Sequence, residues 1–227
     1  MYKSPIVLAL DSAKLDRCES LIHATRDFVG VYKLGLEFFT ANGPAGVVAI
    51  REAFPEIKIF LDLKLHDIPN TVGKSSANFA GIGIEFLTVH ASGGPEMIKS
   101  AVEALPGTRI TAVTLLTSID QSALEILGIS NDVDGLVSSW ASMAVAAGSR
   151  AIVASPHEVA TLRKTLSAGI TLITPGIRTV PANDDQKRVM TPTEAIKSGA
   201  DFLVIGRPIT GAENPGVAAR TIFESFE

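Results

Sequence analysis

The stretch FLDLKLHDIPNTVGKS, residues 60–75, places Asp62, Lys64 and Asp67 within six positions of an otherwise apolar region. The run that precedes Asp62 is rich in branched and aromatic residues, which is typical of a buried strand. Pro69 cannot join a ladder of backbone hydrogen bonds, so the strand ends before it. Side chains alternate along a strand with period two, so Asp62 and Lys64 are predicted to point to the same face. Two opposite charges directed together from the end of a buried strand indicate chemistry.

Similar apolar runs recur along the chain, and each is followed by a helix-like segment. The eight runs are residues 5–10, 31–36, 57–64, 86–91, 109–117, 150–155, 171–177 and 202–209. Alternating strand and helix signals indicate a parallel sheet, and continuous apolar runs suit strands buried on both faces. Eight such units in 227 residues predict an α/β fold, a TIM (β/α)8 barrel in which residues 1–227 form a single domain. A doubly wound open sheet is the alternative.

The composition narrows the class of protein. Hydrophobic residues make up 46% of the chain and charged residues 19%, which supplies a large core and argues against disorder. The net charge is −4 with no basic block, so we expect no nucleic-acid partner. Cys18 is the one cysteine, which excludes an internal disulfide and a cysteine metal cluster. The N-terminus turns acidic too early for a signal peptide, and no apolar run is long enough for a membrane helix. We therefore expect a soluble cytoplasmic protein with no membrane partner.

The ends of the predicted strands carry polar residues, and in a TIM barrel the active site lies at these ends. In chain order they are Asp11, Lys33, Asp62, Lys64, Asp67, His90, Thr117, Ser118, Pro175, Gly176, Arg178, Gly206 and Arg207. Each has a structural interpretation when taken alone: Asp11 as a helix cap, for example, or Asp62 with Lys64 as an ion pair. A desolvated ion pair is a poor source of stability, however. Convergence of the whole set on one rim favours a functional site.

The first three predicted strands are sequential neighbours, so Lys33 is expected beside Asp62 and Lys64. With Asp67 they give alternating charges, in which each lysine is kept as an ammonium by its flanking carboxylates. An inward-pointing ammonium can deliver a proton to a developing carbanion.

The last two predicted strands indicate the kind of substrate. Loops after the seventh and eighth strands are the recurrent phosphate site of this fold. Gly206 and Arg207, with Gly176 and Arg178 opposite, offer backbone N–H groups and two guanidinium groups of bidentate geometry. The sequence therefore predicts a phosphorylated small molecule as the substrate.

These motifs resemble those of the orotidine 5′-monophosphate decarboxylase family in its compact bacterial form. The resemblance is carried by LALD ending at Asp11, YKLG around Lys33, FLDLKLHDIPNTV, and the pair TPGIR and VIGRPI. They occur in the family's order and extend from Asp11 to Ile209. The resemblance implies a TIM-barrel homodimer that converts orotidine 5′-monophosphate to UMP and CO2 in de novo pyrimidine biosynthesis. It also implies that no metal and no organic cofactor is needed.

The same resemblance assigns roles to the charged residues. Lys64 matches the proton donor to C6 of the pyrimidine, and Asp62 lies against the leaving carboxylate. Lys33 holds the network and contacts the ribose, as does Asp11.

Other substrate contacts are implied by the resemblance as well. Asp67, Ile68 and Thr71 match residues that reach into the partner's active site, so each site is expected to be shared. Thr117 and Ser118 match the segment that meets the pyrimidine.

By the same resemblance, a third group of residues holds the phosphate of the substrate, and one of them, Gln186, lies on a loop that is predicted to be mobile and to close over the site. They are Pro175, Arg178, Gln186, Gly206 and Arg207. The chain departs from the family pattern at Thr179, where a proline is common, and in a slightly shorter loop before Gln186. This departure leaves the closed shape of the loop open.

Two alternatives remain. A Mg2+-dependent sugar-phosphate decarboxylase or synthase of the same superfamily resembles this chain in its DxKxxD strand, but it would need an acid where Lys33 stands. A non-catalytic nucleotide-phosphate binding barrel would need the phosphate residues without the alternating charges.

Overall fold

The computed structural model describes residues 2–177 and 190–226, and its centre is a closed barrel of parallel strands in sequence order. The strands are β1 Ile6–Ala9, β2 Val31–Leu34, β3 Ile59–Leu65, β4 Phe86–His90, β5 Arg109–Val113, β6 Ala151–Val153, β7 Thr171–Thr174 and β8 Phe202–Ile205. Pairing of β1 with β8 closes the ring. The predicted TIM barrel is therefore confirmed, and the open-sheet alternative is wrong.

Helices follow the strands around the outside of the barrel. They are α1 Leu15–Thr25, α2 Leu36–Ala53, α3 Pro69–Ala77, α4 Pro95–Ala104, α5 Gln121–Ile126, α6 Val133–Ala146, α7 Val159–Thr165, α8 Pro192–Lys197, α9 Arg207–Thr210 and α10 Pro215–Glu224. A short 3-10 turn, Ala91–Gly93, lies between β4 and α4.

Several predicted strands extend too far. The first, fifth and eighth were predicted to end at residues 10, 117 and 209, whereas β1, β5 and β8 end at Ala9, Val113 and Ile205. Residues beyond these strands remain apolar because they are buried, as Leu115 and Ile209 are, although they no longer pair in the sheet. In the eighth unit Pro208 lies in the first turn of α9, a position where proline is tolerated.

Strand alternation divides the core into two layers. The barrel interior is filled by an apolar cluster made of Val7, Val31, Phe60, Phe86, Ala151, Ile173 and Phe202. The intervening residues, such as Leu61 and Leu87, belong to a larger cluster that includes residues of the surrounding helices. Because alternate residues of a strand share a face, Lys33 follows Val31 into the interior, and Asp62 and Lys64 follow Phe60. The fold thus directs three charges to the axis of the barrel.

Candidate active site

A cleft of about 260 Å³ lies at the carboxyl ends of the strands. It is lined by many of the residues that the sequence predicted for the site, namely Asp11, Lys33, Asp62, Lys64, Thr117, Pro175, Gly206 and Arg207. These residues come from strands or loops on all sides of the ring, and β3 stands opposite β7 in a ring of this order. The cleft therefore has a charged side at β1–β3 and a side at β7–β8 that carries Arg207.

Four charged side chains form a chain of contacts along the charged side. Lys33 Nζ lies 3.2 Å from Asp11 Oδ1 and 3.4 Å from Asp62 Oδ2. Lys64 Nζ lies 2.9 Å from both carboxylate oxygens of Asp62. The charges alternate as the sequence predicted, with Asp11 at the open end and Lys33 and Asp62 buried.

The contacts keep the buried pair ionised. Burial raises the pKa of the Asp62 carboxyl, but Lys33 and Lys64 outweigh burial and hold this pKa below its usual value. Burial lowers the pKa of Lys33, but Asp62 and Asp11 outweigh it and hold this pKa above its usual value. At neutral pH the interior of the barrel therefore holds a carboxylate and an ammonium rather than their neutral forms.

The end of β3 departs from regular strand geometry. Leu61 pairs with Leu87 and Leu65 with Val89, so β3 advances four residues while β4 advances two. The extra residues form a bulge that contains Lys64, whose φ of 50° lies in the left-handed region. Because the difference is an even number of residues, Leu61 and Leu65 stay in the outer layer and Lys64 stays inward. The sequence predicted the direction of Lys64 but not the bulge.

Thr88 of β4 is a site residue that the sequence analysis missed. It is fully buried, its hydroxyl donates to Asp62 Oδ1 at 2.9 Å, and its hydroxyl oxygen accepts the Lys64 backbone N–H at 2.8 Å. The available signal was weak: a threonine two residues after Phe86, which puts it on the inward face of the fourth strand.

The structure gives a steric reason for Gly35, the glycine that ends the YKLG motif. A Cβ at this position would lie 3.0 Å from Lys33 Nζ and 3.1 Å from Asp11 Oδ1. The absence of a side chain therefore leaves room for the Lys33–Asp11 contact.

An apolar wall of the cleft was also missed. It consists of Phe60, Val113, Leu115, Val153 and Ala154. The alternation within the predicted fifth and sixth strands would have placed Val113 and Val153 inward. An apolar surface next to the charges excludes water and strengthens their electrostatic effect on a bound molecule.

Four predicted residues do not line this cleft. Asp67, Ile68, Thr71 and Ser118 are exposed, and Ile68 is 65% exposed although it is a large apolar side chain. The Asp67 carboxylate accepts the backbone N–H of Ile68 at 2.7 Å. A single chain thus brings Lys33, Asp62 and Lys64 together but leaves Asp67 outside its own cleft.

Two further predicted residues, Arg178 and Gln186, lie outside the described residues, as does Thr179. Gly206 and Arg207, which were predicted to meet the same phosphate, do line the cleft, beside Pro175 and Gly176. The residues after β7 and β8 that were predicted to bind phosphate, Pro175, Gly206 and Arg207, therefore lie together in the cleft.

Residues 2–177 and 190–226 contain no group of three or more His, Cys, Asp or Glu side chains placed to hold a metal ion. Within these ranges no helix combines the length and the apolar character that crossing a bilayer requires.

Comparison with known proteins gives matches over nearly the whole chain. The family model described as "Orotidine 5′-phosphate decarboxylase / HUMPS family" matches residues 4–222. The protein named orotidine 5′-phosphate decarboxylase from Thermobifida fusca is 48% identical over 220 residues, which cover 96% of this chain and 94% of that protein. Its namesake from an Anaeromyxobacter species is 47% identical over 220 residues, which cover 96% of each.

Solved structures agree with the sequence matches. The crystal structure of orotidine 5′-phosphate decarboxylase from Lactobacillus acidophilus is similar with a TM-score of 0.86 and 34% identity, over 98% of this chain and 99% of that one. The structure of the protein of that name from Pyrococcus horikoshii gives a TM-score of 0.78 and 27% identity, over 97% and 98%.

Proposed function

The chain belongs to the orotidine 5′-phosphate decarboxylase / HUMPS family, and from this premise we propose how the charges in its cleft carry out decarboxylation. It is an enzyme that decarboxylates orotidine 5′-monophosphate in pyrimidine biosynthesis, because its relatives of that name match it at 42–48% identity over nearly their full length. The contact that carries the mechanism is the 2.9 Å pair of Lys64 with the ionised, buried Asp62.

Lys64 is the proton donor in this mechanism. When the bond between C6 and the carboxylate breaks, CO2 leaves and the electron pair stays on C6. The Lys64 ammonium stabilises this charge more than it stabilises the spread-out charge of the starting carboxylate, and it then transfers its proton to C6. The products are UMP and CO2, and Lys64 recovers its proton from water. The required barrier reduction lies in the upper part of the usual range of about 8 to 23 kcal/mol.

Asp62 and Lys33 keep the donor charged and in place. Both carboxylate oxygens of Asp62 accept hydrogen bonds from Lys64 Nζ. Asp62 also lies against the leaving carboxylate of the substrate. Lys33 lies between the carboxylates of Asp11 and Asp62 and supplies the second positive charge that balances these two negative charges. Together with Asp11 it contacts the ribose.

The far ends of the substrate are held by other parts of the rim. Thr117 meets the pyrimidine, and Arg207 with the Gly206 backbone binds the phosphate, joined by Pro175, Arg178 and Gln186. Because β7 stands across the ring from β3, a phosphate bound by the loops after β7 and β8 places C6 over Lys64. Binding energy from this remote group then lowers the barrier as well as KM.

We further propose that the enzyme is a homodimer with shared active sites. Asp67, Ile68 and Thr71 follow β3, which carries Asp62 and Lys64, yet they do not line their own cleft and are exposed. The 65% exposure of Ile68 is a reason to expect a second copy there. In the dimer, Asp67 of one chain completes the alternating charges of the other.

The decisive experiment follows the ultraviolet absorbance of orotidine 5′-monophosphate mixed with the purified protein in EDTA. Conversion to UMP in EDTA, with no increase on adding Mg2+, supports cofactor-free decarboxylation. Loss of all activity in EDTA and its return with Mg2+ would instead show a metal requirement, as in the Mg2+-dependent members of the superfamily, and contradict the cofactor-free mechanism. Absence of conversion under both conditions would remove the proposed mechanism. The cytoplasmic location expected from the sequence stays a prediction.

A further inference from the structure

The bulge in β3 disturbs the regular backbone pairing between β3 and β4. Between the pairs Leu61–Leu87 and Leu65–Val89, three residues of β3 face Thr88 alone. A strand that gains residues in this way leaves backbone groups without their ladder partners. Lys64 in addition adopts a φ of 50°, which residues with a Cβ rarely adopt. Something outside the ladder has to hold this conformation.

Thr88 supplies that restraint through its side chain. Its hydroxyl oxygen accepts the backbone N–H of Lys64 at 2.8 Å, and its hydroxyl hydrogen is donated to Asp62 Oδ1 at 2.9 Å. Asp62 Oδ1 in turn accepts the ammonium of Lys64 at 2.9 Å. The contacts form a closed ring that runs from the Lys64 backbone through Thr88 and Asp62 to the Lys64 ammonium.

We propose that Thr88 is a positioning residue for the decarboxylation, whose hydroxyl locks the Lys64 backbone and the Asp62 carboxylate into one geometry. This inference rests on the proposed role of Lys64 as proton donor. Thr88 does not line the cleft itself, so it acts through its two neighbours and not on the substrate. It is also fully buried, and its hydroxyl both accepts and donates within the ring, so the satisfied buried network makes the restraint stiff.

A positioning role for Thr88 predicts which kinetic constant changes when its hydroxyl is removed. Lys64 has a long, flexible side chain, and its ammonium must lie where the C6 electron pair develops. Without the ring, substrate still binds through the ribose and phosphate contacts, but the ammonium is less often in the reactive position. The loss should therefore fall on kcat rather than on KM.

The test replaces Thr88 by valine, which keeps the shape and removes the hydroxyl. Loss of a hydrogen bond to a charged group predicts a fall in kcat of about 10- to 100-fold, with KM changed less than about threefold. Thr88→Ser keeps a donor and an acceptor, and it should restore kcat to within about threefold of the parent.

Thr111→Val is the matched control. Thr111 is the register partner of Thr88 on β5, is equally buried, and donates its hydroxyl to the Arg109 carbonyl at 3.0 Å instead of to the charges. It should leave kcat near the parental value, whatever its effect on thermal stability.

The outcomes separate the two proposals. If the parent does not convert orotidine 5′-monophosphate, the proposed function fails and this inference with it. If the parent converts it but Thr88→Val keeps the parental kcat, or Thr111→Val loses as much, or Thr88→Ser restores nothing, the inference alone is overturned. Should Thr88→Val not fold, Thr88→Ser and Thr88→Ala are compared in the same way, since they differ only by the hydroxyl.

Discussion

Lys33 and Asp62 form an ion pair in the interior of the barrel, with 3.4 Å between Nζ and Oδ2 and each residue only 8% exposed. Burial alone would favour the neutral form of both groups. Instead the pKa of Lys33 is raised and that of Asp62 is lowered, because each is flanked by opposite charges on two sides. Asp62 is the centre of this arrangement, since it faces Lys33 from β2, Lys64 from β3 and Thr88 from β4.

Asp62→Asn should therefore change how stability depends on pH. The folded-state pKa of Asp62 lies below its ordinary value, so its contribution is present above that value and is lost as pH falls through the folded-state pKa. At pH 7 the variant leaves Lys64 without its Asp62 carboxylate and Lys33 with Asp11 alone, and it should lose about 3 kcal/mol of unfolding free energy. Urea unfolding from pH 7 down to about pH 3 measures the difference, which should narrow below about pH 4.

The control for this series is Asp134→Asn, on the exposed first turn of α6. It should shift unfolding little at any pH. A parent and an Asp62→Asn variant whose unfolding curves stay the same distance apart from neutral to acid pH would contradict the ionised state assigned to Asp62.

Gly35→Ala should impair catalysis without unfolding the protein. Its Cβ would come within 3.0 Å of Lys33 Nζ and 3.1 Å of Asp11 Oδ1, so the Lys33–Asp11 contact must shift by a few tenths of an ångström. A misplacement of this size predicts a loss of about tenfold in kcat/KM. Gly169→Ala is the matched change, because an added Cβ there meets nothing within 4 Å. Equal activity of the two variants would show that the space at Gly35 is not needed.

Lys64→Ala should abolish turnover and keep binding. The ammonium is the proton donor, and no other lysine or arginine lies within 4.0 Å of Asp62 except Lys33 among the residues described. Removing a general acid costs at least about 100- to 10,000-fold in kcat. Calorimetric titration with UMP should still detect binding through the ribose and phosphate contacts. Lys197→Ala, on the exposed face of α8, is the control for loss of a lysine and should keep the parental activity. A fully active Lys64→Ala variant would contradict the mechanism.

The sequence was sufficient for the parts of the site that depend on one strand at a time. Period-two alternation placed Asp62 and Lys64 on one face, the sequential order of the first three strands put Lys33 beside them, and the repeat of eight units gave the barrel. Thr88 could not be found in this way, because its role depends on the register between β3 and β4 and on a bulge that no local pattern marks.

The ends of the strands were also predicted poorly from the sequence. Leu115 and Ile209 are buried like strand residues, but β5 and β8 have already ended, so hydrophobicity indicates burial at these positions and not strand pairing. The exposed position of Asp67 shows a further limit. A single chain can show that this carboxylate is outside its own cleft, but which surface receives it depends on a second molecule.

Arg207→Ala should weaken binding in proportion to the phosphate of the ligand. Arg207 lines the cleft at the end of β8, and a charge-assisted contact of this kind contributes about 1.5 to 3 kcal/mol, or roughly 10- to 150-fold in affinity. We expect that loss in kcat/KM for orotidine 5′-monophosphate and little change for orotidine, which lacks the phosphate. Arg220→Ala, which removes a guanidinium stacked on Phe28, is the control. Equal losses on both substrates would contradict a phosphate role for Arg207.

The shared active site predicts that two inactive variants restore each other. A Lys64→Ala chain still offers its Asp67, and an Asp67→Ala chain still offers its Lys64, so a hybrid dimer contains one complete site and one that lacks both groups. Random exchange makes half of the dimers hybrid, and an equimolar mixture should therefore recover about a quarter of the parental activity. The measurement is the initial rate after the two variants have been incubated together.

The control mixes Lys64→Ala with a chain that carries both substitutions, because no arrangement of those subunits gives a complete site and activity should stay at the level of the single variant. Within its own chain the Asp67 side chain is exposed, so Asp67→Ala should leave the fold of each chain intact. A circular-dichroism spectrum like that of the parent would then assign its inactivity to the missing charge in the partner's cleft. If mass spectrometry detects hybrid dimers but the rate does not rise, Asp67 acts on its own chain. A parent that stays fully active as a monomer at high dilution would contradict the shared site directly.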